Sequence, residues 1–561
     1  MAEVPKKVLV IAPTPPKMAY LPSIQYMLKT AYDTEGRFPG RLDWLPAYFL
    51  EADENLIWNE IIKTKPDIVC FSIFFWTSII QHQIAGKIKK QFPNTIIILG
   101  GTDVEWKRYE EYAQEHPYYD YIVYGDGEGT FTKLIDLILA DNVSTLTLLN
   151  VKNLIFTAKD NKVYRTPHEI YRGASYMKIS SWLHCADELR RDCETARNHN
   201  SIPYVAWESD KGCPYKCSFC DWEAGLHTKV IRKAYDPTDE IMLFAENGCF
   251  VFLNNANFGI YDKDEDHIVL MWKLKASGLY PGFNIIDPNW AKLNKKKVHN
   301  IYKRMAEIFG YVVMKTPLQS ITPLVLENID RPSIPWPDQK QMILDFRKEY
   351  RTDFYPELMV GLPGETRESW DNMMLEFLDV APISDIVAHH WHVLQNSPGS
   401  DTVYIQQHQI EIWPSVIPVE HSYLFTQIDF SKYSQNEIMN YMLESAKGYK
   451  KQHISIQSNL VWKTSTHEPI DIVYMQISSI VISALGKLNY PPETLRKLYN
   501  GLKPSIAAKA EQDTKIFLNL YEKYKIMPIY FVVQGVLYHP SMVGTALKSH
   551  KFKLTDFLKL N

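Results

Sequence analysis

Gly212-Cys213-Pro214-Tyr215-Lys216-Cys217-Ser218-Phe219-Cys220-Asp221-Trp222 is the stretch on which the fold turns. Three of the chain's seven cysteines fall within eight residues here, spaced C-x3-C-x2-C. The opening MAEVPKKVLVIAP lacks the shape of an export signal, so a cytoplasmic protein is expected, and the odd cysteine count points to metal rather than disulfides. Three thiolates from one loop can hold three irons of a [4Fe–4S] cubane, leaving the fourth iron open. A structural zinc site asks instead for four ligands, usually as two separated pairs. Cys185, Cys193 and Cys249 are the remaining neighbours in sequence, and none forms a pair at metal spacing.

Working outward, the motif directly follows a predicted strand, Tyr204–Glu208. Further apolar runs predict strands at Phe250–Asn254, Gly282–Ile286, Tyr311–Lys315, Tyr355–Val360 and Ile386–Val393. Helical periodicity fills the gaps, as in Gln339–Tyr350 and Glu368–Leu378. Six β/α units in succession predict a partial TIM-type (β/α)6 barrel over 201–424, with its working residues at the carboxyl ends of the strands.

Before the barrel, residues 1–150 alternate strands (Lys7–Ala12, Asp67–Phe74, Thr95–Leu99, Tyr121–Tyr124) with helices such as Ser78–Gln91. That pattern predicts a parallel, Rossmann-like sheet covered on both faces, with ligands outside its carboxyl ends. Those ends run into Pro13-Thr14-Pro15-Pro16, Phe74-Phe75-Trp76-Thr77-Ser78, Gly100-Gly101-Thr102 and Gly125-Asp126-Gly127-Glu128-Gly129. Glycines there permit close backbone approach to a bulky ligand. Residues 151–200 predict a connector with a strand pair around Asn153–Tyr164 and a charged helix near Cys185–Asn198. Residues 425–561 predict a mainly helical domain. The whole is of the α/β class.

The chain has 561 residues, enough for several domains, and a net charge of -4, which gives no global reason to bind nucleic acid. The apolar stretch from Ile472 to Leu488 is too short and too polar to span a bilayer and predicts a buried helix. No membrane partner is expected.

The cysteine segment, with Phe219 before the third cysteine, resembles the signature of the radical S-adenosylmethionine (SAM) superfamily. Its extension into Asp221-Trp222 resembles the branch with a cobalamin-binding domain. Asn255-Ala256-Asn257-Phe258-Gly259, Leu318-Gln319-Ser320, the run from Glu357 through Gly361-Leu362-Pro363-Gly364-Glu365-Thr366, and Asn396-Ser397-Pro398-Gly399 match further strand ends of that branch. Where the branch usually has Asp, this chain has Asn255. The resemblance implies cluster ligation by Cys213, Cys217 and Cys220, and SAM contacts from Phe219, Asn255, Asn257, Gln319, Ser320 and Glu357. Read without it, GLPGET is a turn with Glu365 in the first turn of a helix. Glu357 then faces away from Leu358 on its strand.

The N-terminal turns resemble the branch's cobalamin domain. This implies cobalamin contacts from Pro13, Thr14, Ser72, Trp76, Gly100, Gly101, Gly125, Asp126, Gly127 and Glu128. The familiar Asp-x-His-x-x-Gly motif is absent, so Trp76 rather than histidine is the candidate for the lower cobalt face; a core or surface tryptophan is the plainer alternative. A domain that has lost cobalamin is the plainer alternative for the region. Methylthiotransferases share the cysteine spacing but need three more cysteines in the N-terminal domain, where this chain has only Cys70.

The resemblance implies a cobalamin-dependent methyltransferase acting on an unactivated carbon of a peptide or natural-product intermediate, supplied with electrons by a flavodoxin- or ferredoxin-type donor. Ring contraction or cyclisation with the same cofactors is the alternative within the branch. A cofactor sensor or binding scaffold is the alternative outside it. His390 and His392 share a face of the sixth strand and are candidates to reach the site, as are Tyr423, Tyr441, Tyr449, Trp462 and Tyr474 from the C-terminal region; for all of them a structural role is the competing reading.

Overall fold

Runs of β-branched residues buried on both sides build the N-terminal sheet; every residue of Ile68–Ile73 is buried. The computed structural model describes residues 4–15, 18–171, 173–222, 226, 230–286, 294–418, 430–446, 455–534 and 536–559. Two compact units emerge: Met1–Pro214 with Asp221–Ala256 and Leu270–Asp287, and Tyr215–Cys220 with Asn257–Val269 and Pro288–Asn561.

In the first unit, a seven-stranded sheet runs in the order Leu42–Trp44, Lys6–Ile11, Ile68–Ile73, Ile96–Gly101, Tyr121–Val123, Leu154–Thr157, Val163–Arg165. Its first five strands are parallel and its last two antiparallel. The strand pair expected in the connector therefore extends this sheet. Counted along the chain, the five parallel strands lie in the order 2-1-3-4-5. The order reverses between Lys6–Ile11 and Ile68–Ile73, so the crevice outside their carboxyl ends is the topological place for a ligand. The predicted helix Ser78–Gln91 forms with those limits and buries Ile80, Ile84, Ala85 and Ile88 against the sheet.

The same unit holds the first three of the six strands expected for the barrel, Ile202–Trp207, Phe250–Leu253 and Asn284–Ile286, all parallel. A short strand not read from the sequence, Met18–Tyr20, pairs in parallel with Ile202–Trp207. The second unit holds the other three, Tyr311–Gln319, Arg351–Val360 and Val387–His390, parallel and in chain order. The two long ones outrun the expected Tyr311–Lys315 and Tyr355–Val360. In Arg351–Val360, Thr352, Phe354, Pro356, Leu358 and Val360 are buried, while Asp353, Tyr355, Glu357 and Met359 are less so. That period of two puts Glu357 on the face opposite Leu358, as expected.

After these strands, the second unit is mainly helical. Pro469–Leu485 is mostly apolar and almost wholly buried, the signature of a central core helix. Among the described residues no helix is long and apolar enough to cross a membrane. The unit also carries a sheet not read from the sequence. Glu411–Pro418 lies at its centre, antiparallel to Ser455–Lys463 and parallel to Met527–Pro528.

Candidate functional site

The cysteine loop is held mainly by backbone bonds around Ser218. The Ser218 N–H donates to the Ile329 carbonyl at 2.9 Å, and the Gly399 N–H donates to the Ser218 carbonyl at 2.6 Å. The Ser218 hydroxyl lies 3.0 Å from Tyr404 Oη, which itself donates to the Asn328 carbonyl at 2.9 Å. Gly399 is required there: a Cβ would sit 2.6 Å from the Trp391 ring and 2.7 Å from the Ser218 oxygen. The Asn396–Gly399 turn thus acts as a buttress for the loop.

Cys213 and Cys217 are buried and Cys220 half-buried, all as free thiols. Among the described residues no three His, Cys, Asp or Glu side chains are gathered into a set that could hold a metal ion. The donor set itself suits an iron–sulfur cluster: three thiols on one short loop, two of them buried. Beside them is a residue that sequence reasoning missed. Arg331, only 6 % exposed, lies near enough to Cys217, Cys220 and Glu357 for their charges to act on it. Burial lowers its guanidinium pKa, and those three groups oppose the shift. Its guanidinium carbon lies 5.7 Å from the centre of the Phe219 ring, a cation–π contact. It also donates to the Pro317 carbonyl.

The strand ends carry the remaining candidates. Gln319 closes its strand with φ +64°, a left-handed conformation unusual for a non-glycine residue and found at sites held by their surroundings. Ser320, next to it, is buried and donates to Glu365 at 2.5 Å. Thr322 and Ser369 donate to the same carboxylate at 3.0 and 2.5 Å. Burial raises the Glu365 pKa, and the three hydroxyls partly offset this. Glu365 is therefore not in the first helical turn: Thr366 caps the helix Arg367–Leu378 through a capping box with Ser369, and Glu365 precedes the cap. It is an internal anchor for the Gln319-Ser320 turn.

In the first unit, Asn255 is buried beyond the second barrel strand and bonded to the first strand's end. Its Oδ1 accepts from the Ser209 N–H at 3.3 Å and its Nδ2 donates to the Ser209 hydroxyl at 3.0 Å. Asn257, of the second unit, is buried as well.

At the N-terminal sheet, Trp76 stands 44 % exposed, stacked on Phe74 at 4.9 Å and edge-on to Phe75 at 4.8 Å. A flat apolar surface thus lies just past the strand Ile68–Ile73. Ser72 is on that strand, paired with Gly100. Thr14 donates to the Phe49 carbonyl at 2.8 Å, and Pro13 beside it is buried. Gly101 has φ +113°, and a Cβ there would come 2.3 Å from the Ile73 carbonyl. Asp103, also missed from sequence, lies just beyond; burial pushes its carboxyl up to about 6, against a hydrogen bond from Ser78.

The Gly125–Gly129 turn is filled largely by protein. A Cβ on Gly125 would meet His168 at 3.1 Å, and one on Gly129 would meet the Tyr171 ring at 2.7 Å. Gly127 begins the helix Gly127–Leu139. Glu128 is paired with buried Lys211 at 2.5 Å, and Asp126 lies 3.5 Å from the same ammonium.

Of the other candidates, His390 Nε2 hydrogen-bonds the Val461 carbonyl at 2.5 Å and the ring meets Trp462 edge-on. Burial lowers His390 to about 3 and His392 to about 4, so both are neutral at pH 7. Trp462 donates to Ser415 at 2.8 Å, Tyr474 to Asp371 at 3.1 Å, and Tyr441 packs on Phe430, all core contacts. Tyr423 and Tyr449 lie outside the described residues.

No protein-family profile matches the chain. It is 27% identical over 406 residues to the cobalamin-dependent radical SAM methyltransferase TokK of Streptomyces tokunonensis, covering 72% of this chain and 57% of that one. It is 27% identical over 410 residues to the 2-(S-pantetheinyl)-carbapenam-3-carboxylate methyltransferase of Streptantibioticus cattleyicolor, with the same coverage. The match thus spans less than two thirds of either relative. Among solved structures, the radical SAM methyltransferase TsrM of Kitasatospora setae, with cobalamin and a [4Fe–4S] cluster bound, superposes with a TM-score of 0.56 at 12% identity, over 91% of this chain and 100% of that one. The cobalamin-dependent radical SAM enzyme OxsB gives 0.50 at 13% identity, over 93% and 76%. The fold is that of the cobalamin-dependent radical SAM enzymes.

Proposed function

We propose that this chain, with the fold of the cobalamin-dependent radical SAM enzymes, is a methyltransferase of that kind, acting on an unactivated carbon. The observation that carries the reading is the cysteine loop: three thiols on a segment fixed by Ser218, Ile329 and Gly399, with a buried arginine at two of them. We take 1–150 as the cobalamin domain, 151–200 as connector, 201–424 as barrel and 425–561 as the helical domain.

Cys213, Cys217 and Cys220 are the ligands for a [4Fe–4S] cluster. Phe219, Asn255, Asn257, Gln319, Ser320 and Glu357 are the candidates to hold SAM. Cobalamin falls to Pro13, Thr14, Ser72, Trp76, Gly100 and Gly101, which cluster around the sheet's reversal of order, a position that favours this assignment. Gly125, Asp126, Gly127 and Glu128 belong to the same proposal with a reduced part. His168, Tyr171 and Lys211 already occupy much of that turn, leaving it chiefly a shaping role. When bound, the cluster supplies one-electron cleavage of the SAM sulfonium, and cobalamin supplies a transferable methyl group. The protein's own task is to position and to exclude water. Glu365 fixes Ser320 through a short hydrogen bond, and Asn255 is fixed by Ser209. Trp76 presents an apolar face that would pack against a bound cobalamin and keep water from it. No general base is needed.

The substrate is read as a small natural-product intermediate bearing a carboxylate, as the named substrate of the carbapenam relative does. A flavodoxin- or ferredoxin-type protein supplies electrons in the cytoplasm, and no nucleic acid takes part. The test is anaerobic reconstitution with iron, sulfide and hydroxocobalamin, desalting, then addition of SAM and reductant. Retained corrin absorbance with both 5′-deoxyadenosine and S-adenosylhomocysteine formed is expected. Deoxyadenosine without corrin retention sinks the methyl-transfer reading.

A further inference from the structure

One buried cation at the cysteine loop has no role in the scheme above. Arg331 follows the Asn328–Asp330 turn whose Ile329 carbonyl holds the Ser218 N–H. Its guanidinium is thereby placed over the ring of Phe219, which lies between Cys217 and Cys220 in sequence, with one N–H on the Pro317 carbonyl and the charge of Cys217 acting on it. Its Nε is buried and has no acceptor in the protein. A buried donor left without an acceptor is costly, so such a group is retained where something else accepts from it. An anionic group bound at the thiols would supply that acceptor. Guanidinium is also the cation that stays charged when buried.

We propose that Arg331 is a positioning residue for the cluster: it clamps the Cys217 thiolate and, through its charge, sets how readily the cluster takes up an electron. This rests on the reading of Cys213, Cys217 and Cys220 as cluster ligands. The sign follows from electrostatics. The reduced cluster carries one more negative charge than the oxidised one. A fixed positive charge and an N–H···S hydrogen bond both stabilise the reduced form and raise the reduction potential. The Phe219 ring and the surrounding burial keep water from screening that charge. Phe219 then acts as a platform for the arginine as well as a neighbour of SAM.

The test compares full-length wild type, R331Q and R331K, each reconstituted anaerobically with iron and sulfide and titrated with a low-potential chemical reductant. The reduced cluster is followed by electron paramagnetic resonance, and iron and sulfide are counted per chain. At the applied potential that half-reduces wild type, R331Q should show a roughly tenfold lower ratio of reduced to oxidised cluster, equivalent to ~59 mV for one electron. R331K should recover most of the difference. Loss of the cluster from R331Q while R331K stays loaded also supports the role of the charge. A loaded R331Q with the wild-type ratio overturns the proposal. So does loss of the cluster from both variants, because the loop then needs the guanidinium's shape and not its charge. Failure of wild type to take up iron, or an unchanged cluster in C217A, instead rejects the reading on which the proposal stands.

Discussion

Substituting Gly399 tests whether the Asn396–Gly399 turn buttresses the cysteine loop. In G399A the new methyl would lie 2.6 Å from the Trp391 ring and 2.7 Å from the Ser218 carbonyl oxygen. Neither neighbour is free to yield: Trp391 is fully buried, and the Ser218 oxygen is backbone held by the Gly399 N–H. Ordinary contact begins near 3.4 Å, so the two segments must part by most of an ångström. Overpacking of this kind costs about 1–3 kcal/mol. Strain on the Gly399–Ser218 hydrogen bond adds about 1 kcal/mol. The total is about 2–4 kcal/mol, placed at the loop that carries Cys217 and Cys220. The assay is denaturant unfolding together with iron content after reconstitution. The control is G501A, in the middle of the helix Pro492–Tyr524, where a Cβ meets nothing within 4 Å. That change should be neutral or stabilise by about 0.5–1 kcal/mol through helix propensity. The expected result is a destabilised G399A with reduced iron retention and an unimpaired G501A. A G399A protein with wild-type stability and iron content would refute the buttress argument.

Two other changes address the N-terminal domain. W76A removes a ring stacked on Phe74 and edge-on to Phe75, so stability should fall by about 1 kcal/mol, without unfolding, while cobalamin retention after desalting falls; unchanged retention would remove Trp76 from the site. Asp103 has a folded pKa of about 6, raised from 3.8 chiefly by burial, so the folded state binds its proton more tightly than the unfolded state. Its contribution to stability is then fully present below the unfolded pKa, is lost as pH rises toward 6, and is level above. D103N should flatten that part of the stability–pH curve in denaturant titrations from pH 4 to 7, and an unchanged slope would contradict the assignment.

The elements that sequence made legible are those with a clear local signal. Strands such as Ile68–Ile73 are apolar throughout, and the helix Ser78–Gln91 has apolar residues at helical spacing. The strands that escaped lack that signal. Met18–Tyr20 is three residues long behind a proline-rich segment, and it forms only because Ile202–Trp207 offers it an edge. Glu411–Pro418 contains Pro414 and Pro418, which argue locally against a central strand. At the site, the cysteines stand out in the sequence by their spacing alone. Arg331 sits in Asn328-Ile329-Asp330-Arg331-Pro332, a run with no motif, and its meeting with Cys217 is decided by tertiary packing. Glu365 was visible as a residue of the GLPGET turn, but its role as acceptor for Ser320, Thr322 and Ser369 needs three separate segments to converge.

The central claim is that Cys213, Cys217 and Cys220 hold a cluster with a site open to SAM. Electron paramagnetic resonance of the anaerobically reconstituted, reduced protein, recorded before and after adding SAM, tests it most directly. The account predicts a [4Fe–4S] signal that shifts on SAM addition and is absent from a variant with all three cysteines replaced by alanine. A signal indifferent to SAM, or one that survives the loss of the three cysteines, would contradict it.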